Sequence, residues 1–271
     1  MKIKAIIPAA GFGTRFLPFT KAVPKEMVPL GNKPAIQYIA QEIFDSGITD
    51  CIVITTPQKQ AIANHFASNP ELEQFLKEKN KLHLIADVQK LIQALTFNYI
   101  NQEKALGLGH AVSLAKDYIT ENFCAVLLPD DIMLSAIPGI KQLIDIAKKE
   151  NASVVAVQEV APENVCAYGV IAIQKQLSPD LFEIKTVVEK PAAKDAPSNL
   201  AIIGRYILSS KIFKALDEIQ PAANGELQLT DAIAKLITEN QKVLAYKIQG
   251  TRFDVGTPTG WLAANEALSG F

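Results

Sequence analysis

The sequence predicts an α/β fold, a doubly wound, mostly parallel sheet that becomes mixed in its second half. Apolar runs of strand length alternate with helical spacing through the first half. One such run, residues 123–128, is apolar at every position, as a central parallel strand buried on both faces is. A glycine-rich loop and a pair of acids follow directly on two of these runs, at the carboxyl ends where such sheets place their ligands.

Ile3, Ala5, Ile6 and Ile7 make the first strand, and residues 9–15 leave it as the glycine-rich loop. Between 34 and 44, apolar residues at 36, 39, 40, 43 and 44 keep helical spacing up to the stop at Gly47, and 51–54 is a buried strand. Leu82, Ile85, Val88, Leu91, Ile92 and Leu95 recur every three to four positions, which predicts a helix over 82–95. An extended segment follows at 96–100 and a helix at 111–118. The central strand 123–128 ends on Pro129, Asp130 and Asp131. Beyond it, 153–160, 170–173, 182–188 and 200–208 are strands, 228–238 is a helix, and another begins at Pro258. With no repeat, low-complexity tract or linker, the expectation is a single domain over 1–271. Its two halves span about 1–135 and about 136–271.

With 271 residues and 49% hydrophobic content the chain can bury a substantial core. A net charge of -1 offers no general attraction to a nucleic acid polymer, so a phosphate ligand must be held by a local site. Cys51, Cys124 and Cys166 are widely spaced in apolar stretches, which predicts reduced, buried thiols and a cytoplasmic location. Lys2-Ile3-Lys4 leads only into a short run before Pro8, unlike a signal peptide, and no apolar stretch is long enough to span a bilayer; no membrane partner is expected.

The segment from Ile3 to Pro29, IKAIIPAAGFGTRFLPFTKAVPKEMVP, carries most of the chemistry. Gly11 and Gly13 remove the side chains that would keep a phosphate from the backbone N–H groups, while Arg15, Lys21 and Lys25 follow within reach of the same anion. Arg15 can offer a planar fork to phosphate oxygens; Lys25 is a compact, movable charge. The dinucleotide fingerprint fails because Phe16 stands where its third glycine belongs, and Pro18, Pro24 and Pro29 oppose an immediate long helix. No GxxxxGK[ST] loop is present either. A lone GxG is ordinarily a solvated turn; the length of the pattern GxGTRxxPxTKxxPKxMxP sets this one apart.

Asp130 and Asp131 suit a hard cation, and an Asp-capped turn accounts for the pair equally well. Asp254 is a second carboxylate at a strand end. Gln102 presents an amide that matches the edge of a base, and Gly107 could let a ring approach the backbone or simply open the next helix. His110 reads as a structural histidine at a helix start, since a phosphate nucleophile needs no deprotonation; His65 and His83 lack metal-ligand spacing. Glu189 and Lys190 would point to opposite faces of a regular strand, but a position just before Pro191 can turn both toward one ligand. Tyr206 is either an aromatic wall or a buried structural tyrosine, and 224–231 opens a helix with a mainly structural role.

The extended loop pattern, continued by Lys33-Pro34-Ala35-Ile36-Gln37-Tyr38 and by the C-terminal motifs, resembles the sugar-1-phosphate nucleotidylyltransferases over nearly the whole chain. The PKEM form at 24–27 is similar to that of the bacterial UTP–glucose-1-phosphate uridylyltransferases, whereas thymidylyltransferases usually carry glutamine at the position of Glu26. The resemblance implies a Rossmann-like sheet of the nucleotidylyltransferase, glycosyltransferase-A-like type, with a nucleotide-binding half over about 1–135 and a sugar-phosphate-binding half over about 136–271. It also implies a Mg²⁺-dependent transfer of uridylyl from UTP to α-D-glucose 1-phosphate. It implies Arg15, Lys25 and Lys190 as catalytic cations, and Ala10, Gly11, Gly13, Thr14, Glu26, Gln102 and Gly107 as the nucleotide site. Gly169, Glu189, Lys190 and Tyr206 become the sugar site, Asp130 and Asp254 the metal ligands, with Asp131 a weaker candidate. A homo-oligomer, dimer or tetramer, is implied as well. Phe19 and Gly31-Asn32 depart from the usual pattern. Use of dTTP, CTP or ATP by the same kind of site, or a non-catalytic relative that binds sugar nucleotide, are the alternatives.

Overall fold

In the computed structural model, which describes residues 2–268, the first apolar run forms β1 (Lys4–Pro8). A short ribbon of β2 (Pro29–Leu30) and β3 (Lys33–Pro34) leads into α1 (Ala35–Asp45), then β4 (Asp50–Thr55). Next come α2 (Gln60–His65), α3 (Pro70–Glu78), α4 (Ala86–Ala94), β5 (Thr96–Asn101), α5 (Leu108–Ser113) and β6 (Phe123–Leu127). The second half runs β7 (Asp131–Leu134), α6 (Gly139–Glu150), β8 (Ser153–Glu159), β9 (Gly169–Ser178), β10 (Leu181–Glu189) and β11 (Leu200–Ser209). It closes with α7 (Lys211–Glu218), α8 (Leu229–Thr238), β12 (Val243–Lys247), β13 (Thr251–Asp254) and α9 (Pro258–Leu268).

The main sheet has nine strands in the order β5-β4-β1-β6-β11-β8-β12-β10-β9. β5, β4, β1 and β6 are parallel, and β11 enters antiparallel between β6 and β8. β12 is parallel to β8, and β10 and β9 complete the edge antiparallel. This is the doubly wound, mixed sheet expected, parallel in the first half. Both faces are buried because successive residues alternate: Ala5 and Ile7 of β1 join one apolar cluster, Ile6 the other.

β1 has β4 on one side and β6 on the other, so the chain order reverses there and a crevice opens at the carboxyl ends of β1 and β6. The glycine-rich loop and Asp130 lie at those ends. A separate ribbon pairs β13 with β7, Asp254 opposite Asp131, and so returns a distant part of the chain to the same crevice.

Three expectations are corrected. Residues 82–95 are not one helix: Leu82–Ile85 is a 3-10 turn before α4, and with Leu82 and Leu84 exposed the apolar face that would extend the helix is not packed. The helix expected at 111–118 begins earlier, after Gly107 in a left-handed-side conformation (φ 94°), and ends at Ser113. Cys51 and Cys124 are buried, but Cys166 sits in the 3-10 turn Pro162–Ala167 whose buried residue is Val165, and its thiol is exposed.

Candidate active site

The loop after β1 coils through three 3-10 turns, Thr14–Phe16, Phe19–Lys21 and Lys25–Met27, the tight local structure its prolines leave open. With residues 56–59 after β4 and 101–105 after β5, it walls a cavity of about 710 Å³ that Ala10, Thr14 and Gln102 line. A methyl group at Gly11 would meet nothing within 4 Å, so that backbone is open to a ligand. Gly13 adopts φ 67°, and a Cβ there would lie 3.0 Å from Lys25 Cβ. Gly13 therefore shapes the turn and lets the Lys25 stem pass.

Glu26 does not reach this cavity. It is wholly buried, and both its oxygens accept from Lys59 Nζ at 2.9 and 2.8 Å. Direct nucleotide contact by Glu26 is thus corrected: the buried carboxylate acts on Lys59. Burial raises the Glu26 pKa, against the pull of Lys59 and Lys25. Burial likewise lowers that of Lys59, against Glu26. Reasoning from sequence missed Lys59, a single lysine in a polar turn.

Gln102 is buried at the cavity wall, its Nε2 2.7 Å from His110 Nδ1. Burial lowers the His110 pKa, which keeps the imidazole neutral and its Nδ1 able to accept. His110 is thus structural, as expected, and it leaves the Gln102 carbonyl oxygen as the group presented to a ligand. Gly107 opens α5, one of its two readings. A Cβ there would lie 2.8 Å from Leu227 O, and Leu227 N donates to Leu106 O, so on that side its backbone packs against the chain opening α8.

Asp130, at the end of β6, accepts from Lys25 Nζ at 2.5 Å. Burial would raise the Asp130 carboxyl, but Lys25, with Arg15 behind it, outweighs burial and holds its pKa below the ordinary value. Burial would lower the Lys25 ammonium, yet Asp130 and Glu26 hold it above its ordinary value. Arg15 itself is exposed at the rim. A Cβ on Gly256 would lie 2.8 Å from Asp130 Oδ2 and 3.0 Å from Asp254 Oδ1, so the two carboxylates converge across that glycine. Among the described residues no set of three or more His, Cys, Asp or Glu gathers to hold a metal. A pair of carboxylates, completed by phosphate oxygens and water, fits a hard divalent cation of the Mg²⁺ type.

Asp131 is excluded from that pair. Its Oδ1 accepts from Arg252 Nε at 2.5 Å and its Oδ2 from Gly204 N at 2.6 Å. Beneath it Arg205, 1% exposed, grips both oxygens of Glu42 on α1 and donates to Asp131 O, while Glu42 also accepts from Ile140 N at the start of α6. This buried network ties α1, α6, β7 and β11 into one floor for the crevice.

Glu189 closes β10 opposite Gly169, and a Cβ on Gly169 would lie 2.6 Å from Thr230 Cγ2 and 3.3 Å from Glu189 Oε2. Thr230 Oγ1 donates to Glu189 Oε2 at 2.9 Å. Lys190 takes a left-handed φ of 44°, which turns the chain as the strand ends and brings its Nζ within 3.3 Å of Glu189 Oε1. Both side chains line a second, shallower cavity of about 530 Å³, together with Asn224, Gln228 and Asp231. Tyr206 is absent from it: 5% exposed, it packs in the apolar core, the structural of its two readings. Tyr168 links the two regions. Its carbonyl accepts from Lys190 N, and its hydroxyl and ring meet Arg252, the partner of Asp131.

A parallel switch-point crevice, a glycine loop rich in cations and a facing pair of carboxylates define a protein that handles a nucleoside polyphosphate. The chain belongs to the nucleotidyl transferase family, whose model it matches over residues 4–270. It is 48% identical over 261 residues to a UTP–glucose-1-phosphate uridylyltransferase of Bacillus subtilis (strain 168), with 96% of this chain and 88% of the relative covered. An apo-UDP-glucose pyrophosphorylase crystal structure superposes with a TM-score of 0.94 at 39% identity, covering 100% of this chain and 99% of that one. A UDP-glucose pyrophosphorylase complexed with UDP-glucose gives 0.91 at 38% identity, with the same coverage. The family generally uses a divalent metal. No helix among the described residues is long and apolar enough to cross a membrane.

Proposed function

We propose that this enzyme transfers uridylyl from UTP to α-D-glucose 1-phosphate, giving UDP-glucose and pyrophosphate. The observation that carries the reading is Lys25, on the same glycine-rich loop that walls the nucleotide cavity, bonded to Asp130, with Asp254 facing the same point. The relatives' names agree with it.

The sugar phosphate oxygen is already anionic, so the protein's task is to bring two repelling anions together and hold attacking oxygen, α-phosphorus and leaving oxygen in line. Ala10, Gly11, Gly13 and Thr14 offer backbone and hydroxyl groups to the nucleotide, and the Gln102 carbonyl accepts from the N3–H of uracil. Arg15 and Lys25 neutralise the triphosphate and then the departing pyrophosphate. Glu189 accepts from sugar hydroxyls beside Gly169, and Lys190 receives the sugar phosphate. When bound between Asp130 and Asp254, Mg²⁺ supplies further neutralisation of phosphate oxygens.

Residence in the cytoplasm belongs to the same reading and is supported by Cys51 and Cys124, whose burial pushes both thiols up to about 12. So does a homo-oligomeric state, dimer or tetramer, which light scattering tests. Pyrophosphate release measured across UTP, dTTP, CTP and ATP, each with a panel of sugar phosphates, tests the function. The highest kcat/KM is expected for UTP with glucose 1-phosphate, and a clear preference for dTTP overturns the assignment.

A further inference from the structure

Lys59 makes a set of bonds that the transfer reaction itself does not require. Its Nζ donates to Ala9 O at 2.7 Å, to Gly11 O at 2.6 Å, and to both oxygens of Glu26. Three ammonium hydrogens face four acceptors, so this lysine has no donor left for phosphate, although it lines the nucleotide cavity. Glu26 in turn has no exposed surface and, among the described residues, no other charged partner bonded to it.

The consequence lies in the backbone. In a trans peptide the C=O and the next N–H point in opposite directions. Drawing the carbonyls of Ala9 and Gly11 onto one ammonium therefore turns the N–H groups of Ala10 and Phe12 away from Lys59. Gly11 has no side chain to resist this, and nothing lies within 4 Å of the space its Cβ would fill. Without an internal clamp, a glycine loop of this kind samples many conformations and would lose that freedom only when the nucleotide arrives.

We infer that Lys59, clamped by the buried carboxylate of Glu26, is a positioning residue that presets the glycine loop with its N–H groups aimed at the nucleotide. The inference rests on the nucleotidyl-transfer reading and deepens it. A glutamate at position 26 then matters because it charges and holds Lys59, not because it touches the base or the phosphates.

Removing only one partner would strand a buried charge, so the main variant is the double substitution Glu26→Gln with Lys59→Met, which removes both charges and keeps both shapes. Glu26→Gln with Lys59→Leu, which also removes both charges, serves should the first double variant not fold. The first readout needs no substrate: the NMR order parameters of the backbone amides of residues 10–13 in the free proteins. Lower values in the variant, with those of β4 and β6 unchanged, are expected; unchanged loop values overturn the inference. The second readout is the split between substrates. The KM for UTP and the Kd for UTP alone are expected to rise roughly 10- to 100-fold, the scale of lost charge-assisted bonds, with the KM for glucose 1-phosphate unmoved. Equal loss for both substrates, or none for UTP, also overturns it. Should the parent enzyme itself reject UTP, the uridylyl assignment fails, and the order-parameter measurement still decides the role of Lys59.

Discussion

The two halves of the site hold their lysines in different ways. Lys25 has 20% of its side chain exposed, is bonded to Asp130, and its stem packs against Gly13. Lys190 has 54% of its side chain exposed and only Glu189 beside it, and what is fixed there is its backbone, at φ 44°. On the nucleotide side the charge is preset by contacts. On the sugar side a turn of the main chain aims a side chain that is free to move. A rigid site favours binding of one partner at low entropic cost, and a mobile one lets a second anion be drawn in late.

The sharpest way to break this contrast is to remove each lysine in turn. Lys25→Ala is expected to lower kcat/KM by about 10²- to 10³-fold, with the fold retained and its thermal stability lowered by the loss of the Asp130 ion pair. Lys190→Ala should act mainly on the KM for glucose 1-phosphate, raising it roughly 10- to 100-fold. Steady-state kinetics with each substrate varied separates the two, and identical profiles would abolish the distinction. Next in size is Gly256→Ala. Its methyl would press on Asp130 Oδ2 and Asp254 Oδ1, so Mn²⁺ affinity by calorimetry should drop by about tenfold or more, the scale of a disturbed ligand setting. An unaltered Mn²⁺ isotherm would remove the carboxylate pair as the cation site.

Thr230→Val is a milder probe of the sugar side. It deletes the bond to Glu189 Oε2 and is expected to cost about 1 kcal/mol, seen as a roughly fivefold higher KM for glucose 1-phosphate and no change for UTP. The smallest effect concerns His110. Its folded pKa lies below the ordinary 6.5 because of burial, so an unfolded chain takes up this proton first as pH falls. Stability present above pH 6.5 is therefore lost progressively as pH drops from there through the folded value. An NMR titration of the His110 ring should give a midpoint under 6.5. A higher midpoint contradicts the neutral ring that accepts from Gln102.

The loop and the carboxylate positions were legible because both follow apolar strands, and the point where an apolar run stops is visible in any sequence. Asp130 and Asp131 could not be told apart by the same means. They are neighbours of one chemical type, and only the pairing of β7 with β13 decides that Asp131 meets Arg252 while Asp130 meets Lys25. A strand ending at Asp254 was expected and β13 ends there, but β7 and its pairing with β13 were missed, since four residues are too few for a periodic signal. Lys59 and Glu26 were unreadable as a pair because they lie 33 positions apart and each alone looks like a solvated charge. Cys166 misled for a simpler reason: apolar neighbours in sequence do not make a buried side chain when a 3-10 turn rotates it outward.

The backbone that opens α8 joins the chain after β5, part of which walls the first cavity, to the second cavity. Leu227 seals the loop at Gly107 and Gly109, Gln228 lines the second cavity, and Thr230 holds Glu189. It works as a party wall, one face tied to the loop that borders the first chamber and the other lining the second. Pressure on either side bows the partition for both tenants, so neither room can be remodelled by substitution here without the other feeling it.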